Sequence, residues 1–354
     1  MRPSRRESIS LGPALSTLSV SSTRWPAFGL SLGARYGVLA VVLGLAMLAS
    51  LTLGYRLYGV DQVWSALTAP DGSEVATVIA GLRLPRALMA PVVGAGLGVA
   101  GVVVQTLSRN RIASPDTLGL NAGASLAVVL ASMVFGVSTL AGLSFAAALG
   151  ALLASVLVFG IAATAGGLSP VRIILVGVTL AGLGHSIVEM FLTLNEAQLQ
   201  QLMFWLSGSF VDRPMNMVLN GAPIIAAGIV IALLMSRALD ALQADDTTAQ
   251  SVGVPLALIR GAAFVCVALL TGAAVSMAGP VSFVGLVVPH AARKLVGLRH
   301  IHQIIAAALV GALYTTTADV LARFVIYPVE APVGAITAVV GAVLLLVLLR
   351  RRAA

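Results

Sequence analysis

From Gly261 to Ala292 the chain runs without a single Asp, Glu, Lys or Arg. A membrane helix needs about 20 apolar residues, so the run is too long for one span and suffices for two only if one of them is short. Gly279-Pro280 supplies the break, because glycine reaches backbone angles that end a helix and proline cannot continue one. Whether the break is real fixes the parity of the whole chain, and with it the side on which every later loop emerges.

Eight other apolar runs have the length of a membrane helix: Gly37 to Leu53, Ala87 to Leu107, Leu118 to Phe135, Leu140 to Ala165, Val171 to Leu194, Met215 to Met235, Ile304 to Val325 and Val333 to Leu349. With the break, Gly261 to Ala278 and Val281 to Val296 complete ten spans, the last of these short and carrying Pro289. The expected fold is therefore an all-α polytopic membrane protein of about ten transmembrane helices. Composition agrees, since 10% of the residues are charged where soluble domains carry about 25%. Thirty-six glycines against 5% aromatics point to helices that approach through small residues, as at Gly94, Gly98 and Gly101.

The basic residues decide the parity. With ten spans and a cytoplasmic N-terminus, the cytoplasmic side receives Arg2, Arg5, Arg6, Arg24, Arg35, Arg109, Arg111, Arg172, Arg237, Arg260, Arg293, Lys294, Arg299, Arg350, Arg351 and Arg352. Arg56, Arg83, Arg86, Arg213 and Arg323 fall outside, so the 21 divide 16 to 5, in accord with the positive-inside rule. Nine spans would put Arg350 to Arg352 outside, against it. Both termini are thus expected in the cytosol, with the protein in the cytoplasmic membrane. The net charge of +8 belongs to this topology and not to a nucleic-acid partner.

Residues 1–35, rich in Ser and Arg with Glu7 the one acid, read as a disordered cytoplasmic tail ahead of a transmembrane body at 36–354. An organelle transit peptide shares that composition, but nothing downstream supports it. The single cysteine, Cys266, excludes an intrachain disulfide and a cysteine metal cluster. The single lysine, Lys294, has no glycine before it, which excludes a G-x-x-x-x-G-K-[ST] nucleotide loop in this chain. No catalytic residue, metal site or cofactor is expected.

One long polar island interrupts the second half: RALDALQADDTTAQSVGVPLALIR, from Arg237 to Arg260. Asp245 and Asp246 suit a helix N-terminus, Gly253 a left-handed helix stop and Pro255 the start of a new helix. A bent helix pair, with a cytosolic loop at about 238–260, is the expected result. So compact a loop suits a handle gripped by a soluble partner better than a slack connector.

Three further stretches join this island in carrying a family resemblance. They are RLPRALMAPVVGAGLGVAGVVVQTLSRNRIASPDTLGLNAGAS from Arg83, AGPVSFVGLVVPHAARKLVG from Ala278 and ADVLARFVIYPVEAPVG from Ala318. From about Arg83 to the C-terminus the chain resembles the FecCD-type permeases of ABC importers. The resemblance implies about ten helices per subunit and a second permease subunit, identical or paralogous, around a central pathway. It also implies separate cytoplasmic ATP-binding cassette subunits, an external substrate-binding protein, and ferric siderophore, haem or vitamin B12 as cargo. The first stretch is most similar to the ferric citrate and siderophore branch. By resemblance, Asp245, Asp246, Thr247, Ala249, Val252, Gly253 and Val254 form the loop that docks into the ATPase. Arg111 and Ile112 depart from the Pro-Leu usual after Asn110, which leaves the shape of that turn open.

By the same resemblance Arg83, Arg86 and Arg323 match arginines that meet carboxylates on the binding protein, chemistry suited to a planar guanidinium. The residues alone allow another reading: snorkelling anchors at Arg83 and Arg86, and an i,i+4 pair of Arg323 with Asp319. His185 and Glu189, four apart on the fifth span, are candidates for the pathway or for a mutually satisfied pair, since ionisable groups at membrane depth are costly. His290 reads as a hydrogen-bonded packing residue. Glu330, beside Pro328 and Pro332, reads as a binding-protein contact or a turn cap.

Two rivals remain to be weighed. An ion-coupled secondary transporter also uses broken helices but does not account for the island. An intramembrane serine protease would need an activated serine, and Gly123-Ala124-Ser125 is followed by Leu126, leaving that motif incomplete.

Overall fold

The computed structural model describes residues 31–69, 71–164, 169–194, 202–203, 205–244 and 255–350. The seven island residues from Asp245 to Val254 named above lie outside the described residues. Regular structure among those described is helical, apart from an isolated bridge between Ile326 and Val329.

Among the described residues, a helix corresponds to each of the ten spans. Ser31 caps α1 (Leu32–Thr52) by accepting from Ala34 N at 3.3 Å. Two short helices follow, α2 (Val60–Thr68) and α3 (Glu74–Val78), and a π turn at Ile79–Arg83 leads without interruption into α4 (Leu84–Leu107). The second span thus begins well before Ala87. Pro85 offers no N–H to the Gly81 carbonyl, and the wider π turn absorbs that mismatch. Next come α5 (Leu120–Met133), α6 (Leu140–Thr164), α7 (Pro170–Leu194) and α8 (Met215–Leu234). The short α9 (Ser236–Ala244) enters the island, α10 (Leu256–Ala278) leaves it, and α11 (Val284–Val296), α12 (His300–Ala322) and α13 (Val333–Arg350) complete the body.

Seven of these helical runs are long and apolar enough to cross a membrane unaided. The other three spans are α5, α11 and α13. The break falls where the charge pattern requires it: α10 ends at Ala278, Gly279 has φ +75°, and α11 does not begin until Val284. At 13 residues α11 is about 20 Å long, short of the ~30 Å hydrocarbon core, and the 14-residue α5 is little longer.

The axis of the fold is α4, buried along nearly its whole length. It packs most closely on α12, where a Cβ added at either Gly94 or Gly311 would land on the other's carbonyl oxygen. Backbone contact of this kind is what small residues allow in place of a hydrophobic driving force between membrane helices. Thr315 Oγ1 adds a hydrogen bond to the Ala90 carbonyl across the seam at 2.7 Å. The turn after α4 is closed by Asn110, whose Oδ1 accepts from Ile112 N at 3.1 Å, leaving Arg111 and Ile112 exposed.

Candidate functional site

The structure gathers polar chemistry in three places: the end of the α4–α12 pair that the charge rule would put outside, called the outer end; the opposite, inner end; and a cavity between the short helices.

At the outer end α1 stops with its last carbonyls unpaired, as every helix does. Arg83 donates through Nη1 to Leu51 O (2.8 Å) and Thr52 O (2.9 Å), through Nη2 to Arg56 O (2.5 Å), and lies over the Tyr58 ring. Arg323 donates to Ser50 O and Leu53 O, each at 2.7 Å, and to Ser50 Oγ at 2.8 Å. Two guanidiniums thus satisfy four helix-end carbonyls, and their charge opposes the negative end of the helix dipole.

Arg86 faces Asp319 through Nε (2.8 Å) and Glu330 through Nη1 (2.6 Å), while Arg323 also meets Asp319 at 2.6 Å. The Asp319 side chain is fully buried and shared by both arginines, whereas that of Glu330 is 32% exposed and brings the cluster to the protein surface. Three cations and two carboxylates leave one net positive charge. Arg86 Nη2 is buried without a partner among the described residues. The i,i+4 pair read from the sequence is present, Glu330 joins Arg86, and Arg83, Arg86 and Arg323 are all turned into the chain, each 9% exposed or less.

The cavity, about 600 Å³, lies where α5 and α11 begin and is lined by Asp116, Asn121, Ser125, His185, Ser207 and Phe283 among others. Irregular backbone at membrane depth is tolerated where it lines such a space. The Asp116 carboxylate accepts from the Phe283 N–H at the start of α11 and from Asn121 Nδ2. That donor orients the amide and leaves Asn121 Oδ1 buried without a partner among the described residues. His185 borders this cavity; Glu189 is exposed on α7 but not part of its wall. No ion pair joins the two among the described residues. His290 Nδ1 bonds to the Leu286 carbonyl at 3.0 Å, one turn back on α11. Asp116 and Asn121 stand in SPDTLGLN, and sequence alone does not show that this turn faces the start of α11.

At the inner end His300, the first residue of α12, is 1% exposed. Asp240 on α9 accepts from its backbone N–H (2.9 Å) and lies 2.6 Å from its Nδ1, while Nε2 faces Thr106 Oγ1 of α4 at 2.7 Å. Arg109, just beyond α4, donates to the Leu242 carbonyl of α9 at 3.1 Å. Sequence reasoning passed over Asp240, His300 and Thr106, three residues from three distant stretches.

Comparison with known proteins gives a consistent result. Residues 41–351 match the FecCD transport family. The chain is 35% identical to the probable siderophore transport system permease protein YfiZ of Bacillus subtilis, over 89% of this chain and 95% of that one. It is 38% identical to the Fe(3+)-citrate import system permease protein YfmD of the same organism, over 79% and 84%. Against the ferric enterobactin transport system permease protein FepD of Escherichia coli identity is 37%, over 89% and 94%. A metal-chelate type ABC transporter solved in an inward-facing conformation superposes with a TM-score of 0.79 at 31% identity, covering 90% of this chain and 99% of that one.

Proposed function

The chain belongs to the FecCD transport family, and on that premise we propose that it forms the pathway of an ABC importer for a ferric siderophore chelate, ferric citrate included. A loaded external protein delivers the chelate, separate ATPase subunits hydrolyse ATP, and a second permease subunit completes the pathway. The carrying observation is the near full-length similarity to iron-chelate permeases, 95% of YfiZ and 94% of FepD being covered.

The chemistry fits this division of labour. Lys294 is the chain's one lysine and no phosphate loop surrounds it, so hydrolysis belongs to a partner. The distribution of Arg and Lys supports cytosolic termini and a cytosolic island, where Asp245, Asp246, Thr247, Ala249, Val252, Gly253 and Val254 would seat in an ATPase groove. Arg83, Arg86 and Arg323 hold the outer face in shape, and the cluster's surplus positive charge, with Arg86 Nη2 unpaired, suits an acidic docking partner. His185, on the cavity wall, is proposed to face the pathway, with Glu189 beside it.

The test is to purify the chain with its ATPase and binding protein and measure hydrolysis stimulated by ferric citrate, ferric hydroxamates, haem and cobalamin. Stimulation by a ferric chelate is expected. Stimulation by haem or cobalamin alone would reassign the cargo, and the absence of any ATPase partner would favour a secondary transporter.

A further inference from the structure

α9 is an amphipathic helix whose Leu239 and Leu242, like Met235 just before it, are buried in the core while Arg237, Asp240 and Gln243 face outward. Apolar burial holds it against the body without fixing its register, because such contacts are not directional. Three directional contacts supply that: Asp240 Oδ1 with His300 N, Asp240 Oδ1 with His300 Nδ1, and Arg109 Nε with Leu242 O. The first also caps α12, whose own N-cap, Arg299, contributes no side-chain bond. His300 then reaches across to Thr106 on the last turn of α4.

From the latch outward, α4 and α12 have no soft joint. A Cβ at Gly98 would stand 2.6 Å from the Ala307 carbonyl, Gly94 and Gly311 abut, Thr315 bonds to Ala90, and Arg86 grips Asp319 at the far end. Packed interfaces of this kind transmit displacement, since they do not deform continuously.

We infer that Asp240, His300 and Thr106 form a latch that makes the island's entry helix move as one body with the α4–α12 pair. Asp240 and His300 are therefore positioning residues for energy coupling. Rotation imposed on α9 by an ATPase turns the pair, and the wall of the pathway with it. The inference rests on the proposal that the island meets the ATPase. Both bonds to Asp240 use the same oxygen, so an asparagine can keep the geometry and an alanine cannot.

The experiment uses the reconstituted importer with a ferric chelate as cargo. For Asp240→Ala, co-purification with the ATPase and basal hydrolysis should match the parent, while chelate moved per ATP falls about tenfold, a usual size for a lost coupling free energy. Asp240→Asn should restore most of the ratio. An unchanged ratio in Asp240→Ala overturns the latch, as does loss of ATPase binding in that variant alone. Failure of the parent chain to bind an ATPase would instead remove the reading beneath it. Should Asp240→Ala fail to fold, spin labels at Gln243 and Ile301 of the otherwise unaltered chain decide the matter. Their separation should stay constant between nucleotide-free and ATP-bound states, and a change on binding ATP refutes the latch.

Discussion

The two ends of the α4–α12 pair solve the same mechanical problem with different chemistry. Outside, Arg86 and Arg323 share one fully buried carboxylate, and Glu330 joins Arg86. Inside, one carboxylate whose side chain is 41% exposed meets one histidine. Burial decides what each arrangement is for. A desolvated ion cluster is destroyed by losing a member, which suits a fixed frame. A pair whose carboxylate keeps part of its water is less costly to break than a fully desolvated one and can serve as a register pin on a helix that has to be pushed. The outer end should therefore govern whether the protein stands, and the inner end whether motion is passed on.

The sharpest way to break this contrast is Asp319→Asn. It leaves Arg86 and Arg323 facing each other without their shared counter-charge, at a cost of about 3–5 kcal/mol. Thermal unfolding in detergent should show a large fall in midpoint, with reduced membrane levels. A midpoint near that of the parent would mean the cluster is not the frame.

Arg323→Lys should come next. A lysine has one nitrogen, one atom nearer the backbone than the guanidinium Nη atoms, and cannot reach Ser50 O, Leu53 O, Ser50 Oγ and Asp319 together. Losing part of that set should lower stability by about 1.5–3 kcal/mol, as a smaller fall in the same midpoint. A lysine indistinguishable from arginine would reduce the capping of α1 to simple charge.

The contrast also marks what a single sequence can and cannot disclose. The break at Gly279 was legible because charge parity constrains it, and the Arg323–Asp319 pair because four residues is one helical turn. Arg86 with Asp319 joins residues 233 apart, and His300 with Asp240 residues 60 apart. Such pairs depend on the relative rotation and height of separate helices, which apolar periodicity leaves undetermined. The same gap hid the cavity: Asp116 reads as one acid in an apolar stretch until its own turn, Pro115–Leu118, is seen to meet α5 and the start of α11. The island is the reverse case, conspicuous in sequence, with α9 and the start of α10 in place and the seven candidate docking residues outside the described chain.

On stability alone, Asp240→Asn should change little, within about 1 kcal/mol, because the carboxylate is half in water and the amide keeps its acceptor oxygen. A fall as deep as that of Asp319→Asn would place the inner pair in the frame as well and erase the distinction between the two ends.

The smallest effect is expected at an ion pair on the same outer face as the arginine cluster. Arg56 and Glu74 meet at 3.1 Å with side chains 65% and 75% exposed, so water and salt share their attraction, and ions screen it beyond about 8 Å at physiological strength. Glu74→Gln should leave the unfolding midpoint unchanged at low and high salt alike. The start of α3 does not depend on this carboxylate, because Ser73 Oγ accepts from Ala76 N at 3.2 Å and holds the first turn. The Arg56 carbonyl, not its side chain, is what Arg83 uses. A midpoint that drops at low salt and recovers at high salt would show that an exposed pair on this face contributes as the buried one does, and burial would no longer explain why the outer cluster is rigid.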